Sequence, residues 1–289
     1  MIWIPQPTND GSFTFFSEEF GEEFHGRRGA KAEAFQKSGA ATDLVERAQQ
    51  PTLRLLDVCY GLGYNTAAAL ETIWRVNPDC RVEIYALELD ATVPLAAIAP
   101  PLLQAWSPSV QAVLTAIAHT HTCITPLLNA KLLIGDARQT IRQLLSQFQA
   151  EVIFFDPFSP RACPQLWTIE FFTLVAQCLA STGKLATYSR SAAVRSALLA
   201  AGLQIGSIPL SKDHLAYEWS QGTVAALTTH TLPTLSPMEQ EHLKTRAAVP
   251  YRDPSLTDPA PVILQRHKQE QARSSLEFTT RWRRRWGIR

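Results

Sequence analysis

The chain has 289 residues, of which 46% are hydrophobic and 18% charged, with a net charge of +1. That is enough for one large α/β domain with extensions. No apolar run approaches the roughly 20 residues of a membrane span, and the balanced charge excludes a global basic bias towards nucleic acid. Five scattered cysteines without CxxC spacing fit a reducing compartment and give no support for a metal site. The start, Met1 to Gln6, lacks a charged leader and a long apolar core, so a cytoplasmic location is expected.

Residues 1–50 read as an N-terminal extension of hairpin and helix. Thr8-Asn-Asp-Gly11 signals a turn, Ser12 to Phe16 has strand character, and Lys31 to Ala48 reads as a helix interrupted near Ser38-Gly39. Residues 51–231 alternate strand and helix, the pattern of a mostly parallel sheet. Strands are expected over Leu53–Val58, Val82–Leu87, Lys131–Ile134, Val152–Phe155, Lys184–Tyr188 and Thr223–Leu227, with a short seventh near Leu203–Ile208. Helices are expected over Asn65–Val76, a long region within 92–118, Ala137–Phe148, Ile169–Ala180 and Ala192–Ala201, the last capped by Ser191 and ended by Gly202. Residues 232–289 form a helical appendage with a basic tail. It starts at the capping box Ser236-Pro-Met-Glu239 and carries a helix over Pro261–Ser274.

The turn Gly61-Leu-Gly63 sits between the first core strand and a helix starting at about Asn65. Glycines let backbone approach a ligand, and free N–H groups at a helix start favour a nucleotide-type cofactor. Thr66 stands where a dinucleotide fingerprint has its third glycine, which tilts the reading towards S-adenosylmethionine. Gly61, Gly63 and Asn65 are therefore candidate cofactor residues. Glu88 ends the second strand, where a carboxylate accepts ribose hydroxyl protons; a surface acid would look the same. Asp136, in Gly135-Asp-Ala137, is placed to accept from an adenine amine or to cap the next helix, roles that use different oxygens and can coexist.

Asp156-Pro-Phe-Ser-Pro160 follows the apolar strand Val152–Phe155. It puts a carboxylate, Asp156, and a flat ring, Phe158, into the cleft beside the cofactor, where an acceptor group would be held and a base stacked. The bland alternative is a capping turn with a core phenylalanine. Together with Pro164-Gln-Leu-Trp167, Leu185-Ala-Thr-Tyr-Ser189 and Val194-Arg195, the segment resembles the methyltransferase domain of the MnmC family of tRNA wobble-uridine enzymes. Asp10-Gly-Ser12, Glu22 to His25 and Gly29-Ala-Lys-Ala-Glu33 also match, so the resemblance covers nearly the whole chain.

The resemblance implies a Rossmann-like class I methyltransferase: a mostly parallel seven-stranded sheet with helices on both faces. It implies S-adenosylmethionine as cofactor, tRNA as partner, and N-methylation of 5-aminomethyl(-2-thio)uridine. Asp156 would be the catalytic residue, and Phe158 and Tyr188 would line the substrate pocket. With no second glycine-rich βαβ unit, the form without an FAD oxidase domain is expected, leaving open whether a separate enzyme makes the amine.

The final segment, Arg281-Trp-Arg-Arg-Arg-Trp-Gly-Ile-Arg289, holds five arginines and no acid. Arg281, Arg283, Arg284 and Arg285 are candidate phosphate contacts, against the alternative of a surface-packed terminus. Three other classes compete. An NAD(P) oxidoreductase is disfavoured by Thr66. An aminopropyltransferase would want a second acid next to Asp156, and Pro157-Phe158 supplies none. A non-catalytic tRNA-binding scaffold is disfavoured by the intact acidic positions.

Overall fold

A computed structural model describes residues 3–210, 214, 219–229 and 232–288. Its N-terminal segment holds two small hairpins where one was expected: β1 (Gln6–Pro7) with β2 (Phe13–Thr14), and β3 (Phe16–Ser17) with β4 (Glu22–Glu23). The helical stretch that follows is α1 (Ala30–Glu33), a π-helical turn over Ala34–Gly39, and α2 (Leu44–Arg47). Asp10 locks the first turn to α1, accepting from the N–H groups of Ser12 at 3.0 Å and Ala32 at 2.9 Å. Burial works against its charge, but these bonds and the hydroxyls of Ser12 and Thr8 outweigh it and lower the carboxyl to about 2. Gly29, at φ +150°, is required there, because a Cβ would fall 2.4 Å from the Asp10 carboxyl carbon.

The core elements are β5 (Thr52–Val58), α3 (Tyr64–Val76), β6 (Arg81–Glu88), α4 (Thr92–Ala97), α5 (Pro108–Thr120), β7 (Thr122–Thr125), β8 (Leu128–Ile134), α6 (Ala137–Thr140), β9 (Ala150–Phe155), α7 (Ile169–Gln177), β10 (Leu179–Thr187), α8 (Ala192–Ala200), β11 (Gln204–Ile208) and β12 (Gly222–Ala226). They build a sheet in the order β11-β12-β10-β9-β5-β6-β8-β7, parallel from β10 to β8 and antiparallel at both edges. Side chains of β5 alternate between the faces: Leu53 and Leu55 join one apolar cluster, Leu56 and Val58 the other. Both faces are thus covered, as a parallel sheet requires.

The sheet has eight strands, not seven. The extra one, β7, is a short edge strand of exposed or half-buried residues, with Ile124 73% exposed; without a buried face it has no apolar period to read. The expected long helix in 92–118 divides into α4 and α5, with Pro100-Pro101 between them. The helix expected over 137–148 shrinks to α6 and a 3-10 turn over Ile141–Gln143. Ser191 occupies the N-cap position of α8 but makes no side-chain cap bond, while Gly202 follows its end at φ +88°.

The C-terminal segment carries α9 (Pro237–His242), α10 (Ala260–Arg273) and α11 (Thr279–Arg285). Buried polar contacts bind it to the sheet domain. Arg195 of α8 donates to Glu239 of α9 at 2.8 Å, and both side chains are at most 2% exposed. Burial pushes the Glu239 carboxyl up, but the Ser207 hydroxyl and Arg195 outweigh it and hold the group ionised. No helix among the described residues is long and apolar enough to cross a membrane.

Candidate functional site

The chain reverses after β5 through three residues of positive φ: Cys59 at 70°, Gly61 at 54° and Gly63 at 77°. The N–H groups of Cys59 and Tyr60 both donate to Leu87 O, at 3.0 and 2.9 Å, pinning the turn to the end of β6. The glycines have separate reasons. A Cβ on Gly61 would press on the Phe24 ring at 3.2 Å, in a cavity of about 100 Å³ that Gly61 and Phe24 both line. A Cβ on Gly63 would strike the Tyr60 phenol at 2.6 Å, so that glycine serves the turn and not the cavity directly. Thr66, in the place of a third glycine, donates its hydroxyl to Asp57 Oδ2 at 2.6 Å. Asp57 is fully buried, its Oδ1 has no partner among the described residues, and burial raises its carboxyl to about 8. Sequence reasoning gave Asp57 no role.

Glu88 lines the same cavity, along with Asn65, Leu89 and Asp90. Its Oε2 accepts from Gly61 N–H at 2.8 Å and its Oε1 from Asp90 N–H at 3.0 Å, so one carboxylate sets both ends of the cradle. Burial raises its pKa, opposed by these bonds. Asp136 is placed differently. It caps α6, accepting from Arg138 N–H at 2.9 Å, and both its oxygens are taken by the Arg138 guanidinium, down to 2.6 Å. Arg138 continues to the buried Asp253 at 2.8 Å. The capping geometry is what the structure shows. Asp136 does not line the cavity, whose acids near the turn are Glu88 and the unforeseen Asp90.

Asp156 is tied to β5 through its N–H, which donates to Val58 O at 3.1 Å, and its Oδ2 accepts from Asn65 Nδ2 at 3.0 Å. Asn65 thus stands between the glycine turn and Asp156. The loop after Asp156 is fixed from three sides. Tyr188 donates to Pro157 O at 2.8 Å, Trp167 Nε1 to Phe158 O at 2.8 Å, and Ser159 donates through its N–H and hydroxyl to Glu22. Burial pushes the Tyr188 phenol well up, so it acts as a neutral donor. Phe158 does not present two free faces: Phe20 stacks on one at 4.5 Å and 18°, and Phe24 meets it edge-on at 4.8 Å.

A second cavity of about 280 Å³ opens at Asp156. Its lining includes Glu22, Glu23, Glu33 and Asp156, with His25 and Tyr188, and no lysine or arginine among the described residues. His25 and Asp156 also line the first cavity, so they stand where the two meet. His25 Nδ1 is buried without a partner among the described residues. Pro157-Phe158 supplies no second acid, as expected, but Glu22, Glu23 and Glu33 line the same cavity as Asp156, so that ground does not separate an aminopropyltransferase in space. The acids arrive from β4 and α1, more than a hundred residues away in sequence, and a search of the flanking residues does not find them. Their one sequence signal was the pair of segments Glu22 to His25 and Gly29 to Glu33 within the family resemblance.

The basic tail is a packed helix. Trp282 of α11 is buried, donates to Met238 O at 3.0 Å and stacks on His242 at 4.0 Å. Arg285, itself exposed, is paired with Glu241 and Glu277 at 2.8 and 2.9 Å, so its charge is already partnered on the surface. Arg281, Arg283 and Arg284 are exposed.

Residues 100–212 match a family described as S-adenosyl-L-methionine-dependent methyltransferase. The crystal structure of MnmC2 from Aquifex aeolicus superposes with a TM-score of 0.82 at 30% identity, covering 94% of this chain and 86% of that one. An uncharacterized protein of Methanocaldococcus jannaschii is 29% identical over 203 residues, 68% of this chain and 53% of its own length. The tRNA 5-methylaminomethyl-2-thiouridine biosynthesis bifunctional protein MnmC of Acidovorax sp. (strain JS42) is 27% identical over 207 residues, 68% of this chain and 32% of its own length. The matched segment thus spans about half of the first of these two curated relatives and about a third of the second.

Proposed function

The chain belongs to the MnmC family of S-adenosylmethionine-dependent methyltransferases, and from that premise we propose that it methylates the amine of 5-aminomethyl(-2-thio)uridine at the wobble position of tRNA. The observation that carries this reading is the pair of cavities meeting at Asp156. The first fits the cofactor. It is mostly apolar, walled by Phe20, Phe24, Leu89 and Val93, and bears the carboxylates Glu88 and Asp90 beside a glycine that leaves the cradle open. Glu88 and Asp90 would hold the ribose and adenine side, and Asn65 would fix the edge facing Asp156. The bound cofactor supplies an electrophilic methyl group on a sulfonium.

The second cavity fits the acceptor. An alkylamine is mostly protonated near neutral pH, the reference value for lysine being about 10.4. Four carboxylates line this cavity, Glu23 being paired with Arg27 at 2.8 Å, and no lysine or arginine lines it among the described residues, an environment that favours such a group. To react, the ammonium releases a proton to solvent, and the neutral amine would then turn its lone pair towards the methyl group that the cofactor supplies. Asp156, remaining ionised, accepts a hydrogen bond from an amine N–H, orients the lone pair and offsets the positive charge that grows on nitrogen. Tyr188, clamped on Pro157 O, keeps the Asp156 loop in place, and Phe158 lines both cavities beside it. No covalent enzyme intermediate is needed.

Mass spectrometry of wobble nucleosides from cells with and without the gene tests the proposal. Loss of the gene should deplete the methylaminomethyl nucleoside, accumulate its unmethylated precursor, and be reversed by the wild-type gene. Unchanged wobble nucleosides would refute it.

A further inference from the structure

Beside the acidic cavity lies a groove of about 450 Å³ with the opposite character. Arg28, Arg190, Trp219 and His242 line it with Ser189 and Ser191, and no carboxylate does among the described residues. Tyr188 lines both, so the cationic groove and the acidic cavity adjoin at that side chain.

Arg190 is held in one orientation. Its guanidinium carbon lies 4.4 Å from the centre of the Trp219 ring, and Nη1 donates to Ser220 O at 3.2 Å. Trp219 is itself wedged edge-on against His242 and Trp282, which stack on each other. Nε and Nη2 of Arg190 make no hydrogen bond among the described residues, so the fork keeps donors in the geometry that suits a phosphate. Burial, with Arg195 and Arg283 nearby, lowers His242 to about 4; the imidazole is neutral at physiological pH, and the positive charge of the groove comes from the arginines.

Resting on the proposed function, we propose that this groove binds the phosphodiester adjoining the nucleotide whose base enters the acidic cavity. A nucleotide with an aminomethyl base carries a cation at one end and an anion at the other. The protein presents carboxylates and guanidinium groups in two hollows that adjoin at Tyr188 to match. Single-stranded RNA suits the site, since an unpaired nucleotide can be splayed so that base and phosphate enter different pockets.

The test uses anticodon stem-loop RNA containing 5-aminomethyl-uridine, with each phosphate flanking that nucleotide replaced in turn by a neutral methylphosphonate. One replacement should weaken binding to the wild-type protein by about 10-fold or more, the loss of a charged hydrogen-bond pair. In Arg190→Ala the same replacement should have no further effect, and the slope of log affinity against log salt should fall by about 0.7 per lost contact. Arg28→Ala, at an exposed position, provides a second variant with the same expected insensitivity should Arg190→Ala fold poorly. Sensitivity undiminished in both variants, or a wild-type protein indifferent to both replacements, would overturn the groove. Methylation of the free aminomethyl-uridine nucleoside separates the two proposals. If the nucleoside is methylated while phosphate neutralisation has no effect, the groove alone fails; if the nucleoside is untouched and the stem-loop does not bind, both fail.

Discussion

Asp57→Asn should change how stability depends on pH. The Asp57 carboxyl is raised from 3.8 to about 8, with burial the largest cause, opposed by the Thr66 hydroxyl. The folded protein therefore keeps a proton there that the unfolded chain releases above pH 3.8. A group raised in the folded state gives its full contribution below its unfolded value and loses it as pH rises towards the folded one. Between about pH 4 and 8 the wild type should lose about 1.4 kcal/mol per pH unit from this site. The asparagine side chain cannot ionise, keeps an oxygen for Thr66 and leaves every other titrating group in place. Urea denaturation of both proteins at pH 5, 6, 7 and 8 isolates the effect. The stability difference between variant and wild type should grow in favour of the variant by about 1.4 kcal/mol per unit and level off above pH 8. A difference that stays constant across this range would show that Asp57 is ionised in the folded protein, and the account of its burial would be wrong.

Glu239→Gln removes the partner of the buried Arg195 and should cost about 3–5 kcal/mol in the same denaturation assay; an unshifted midpoint would mean this pair does not hold α9 to the sheet. Gly63→Val should reduce S-adenosylhomocysteine affinity through the turn, because the new side chain meets Tyr60 at a φ of +77°. Titration like the wild type would show that the turn tolerates rearrangement. Replacing Arg281, Arg283 and Arg284 together by Gln, with Trp282 kept, should flatten the salt dependence of tRNA binding and leave the melting temperature unchanged. An unaltered salt slope would confine α11 to a structural role. Deleting the whole tail is a poorer experiment, since it also removes the buried Trp282, a loss on the scale of about 3–5 kcal/mol.

The readable parts of this chain were those with local cause. Apolar runs marked β5, β6 and β9, because a strand covered on both faces needs continuous hydrophobicity. The glycine turn and the Asp156 loop followed directly from strand ends. Edge strand β7 was illegible because none of its side chains is buried, and α4 and α5 merged because alanine and leucine suit either side of the proline break. The acceptor cavity was hidden for a different reason. Asp156 could be found from its own strand, but Glu22, Glu23, His25 and Glu33 reach it only through the packing of the N-terminal hairpin and α1. Asp136 illustrates a choice that sequence left open: a carboxylate after a strand both caps a helix and suits a ligand, and Arg138, with Asp253 behind it, favours the cap. Arg285 likewise counted as a free cation until Glu241 and Glu277 came within 3 Å of it.

The central claim is that Asp156 serves the methyl-transfer step and not cofactor binding. Asp156→Asn keeps the shape and an oxygen for Asn65, yet loses the charge that offsets the forming ammonium. Single-turnover methylation of aminomethyl-uridine tRNA, measured beside S-adenosylhomocysteine affinity, tests this directly. The account predicts a fall in rate of about 10²–10³ with the affinity essentially unchanged. A near wild-type rate, or a selective loss of cofactor affinity, would contradict it.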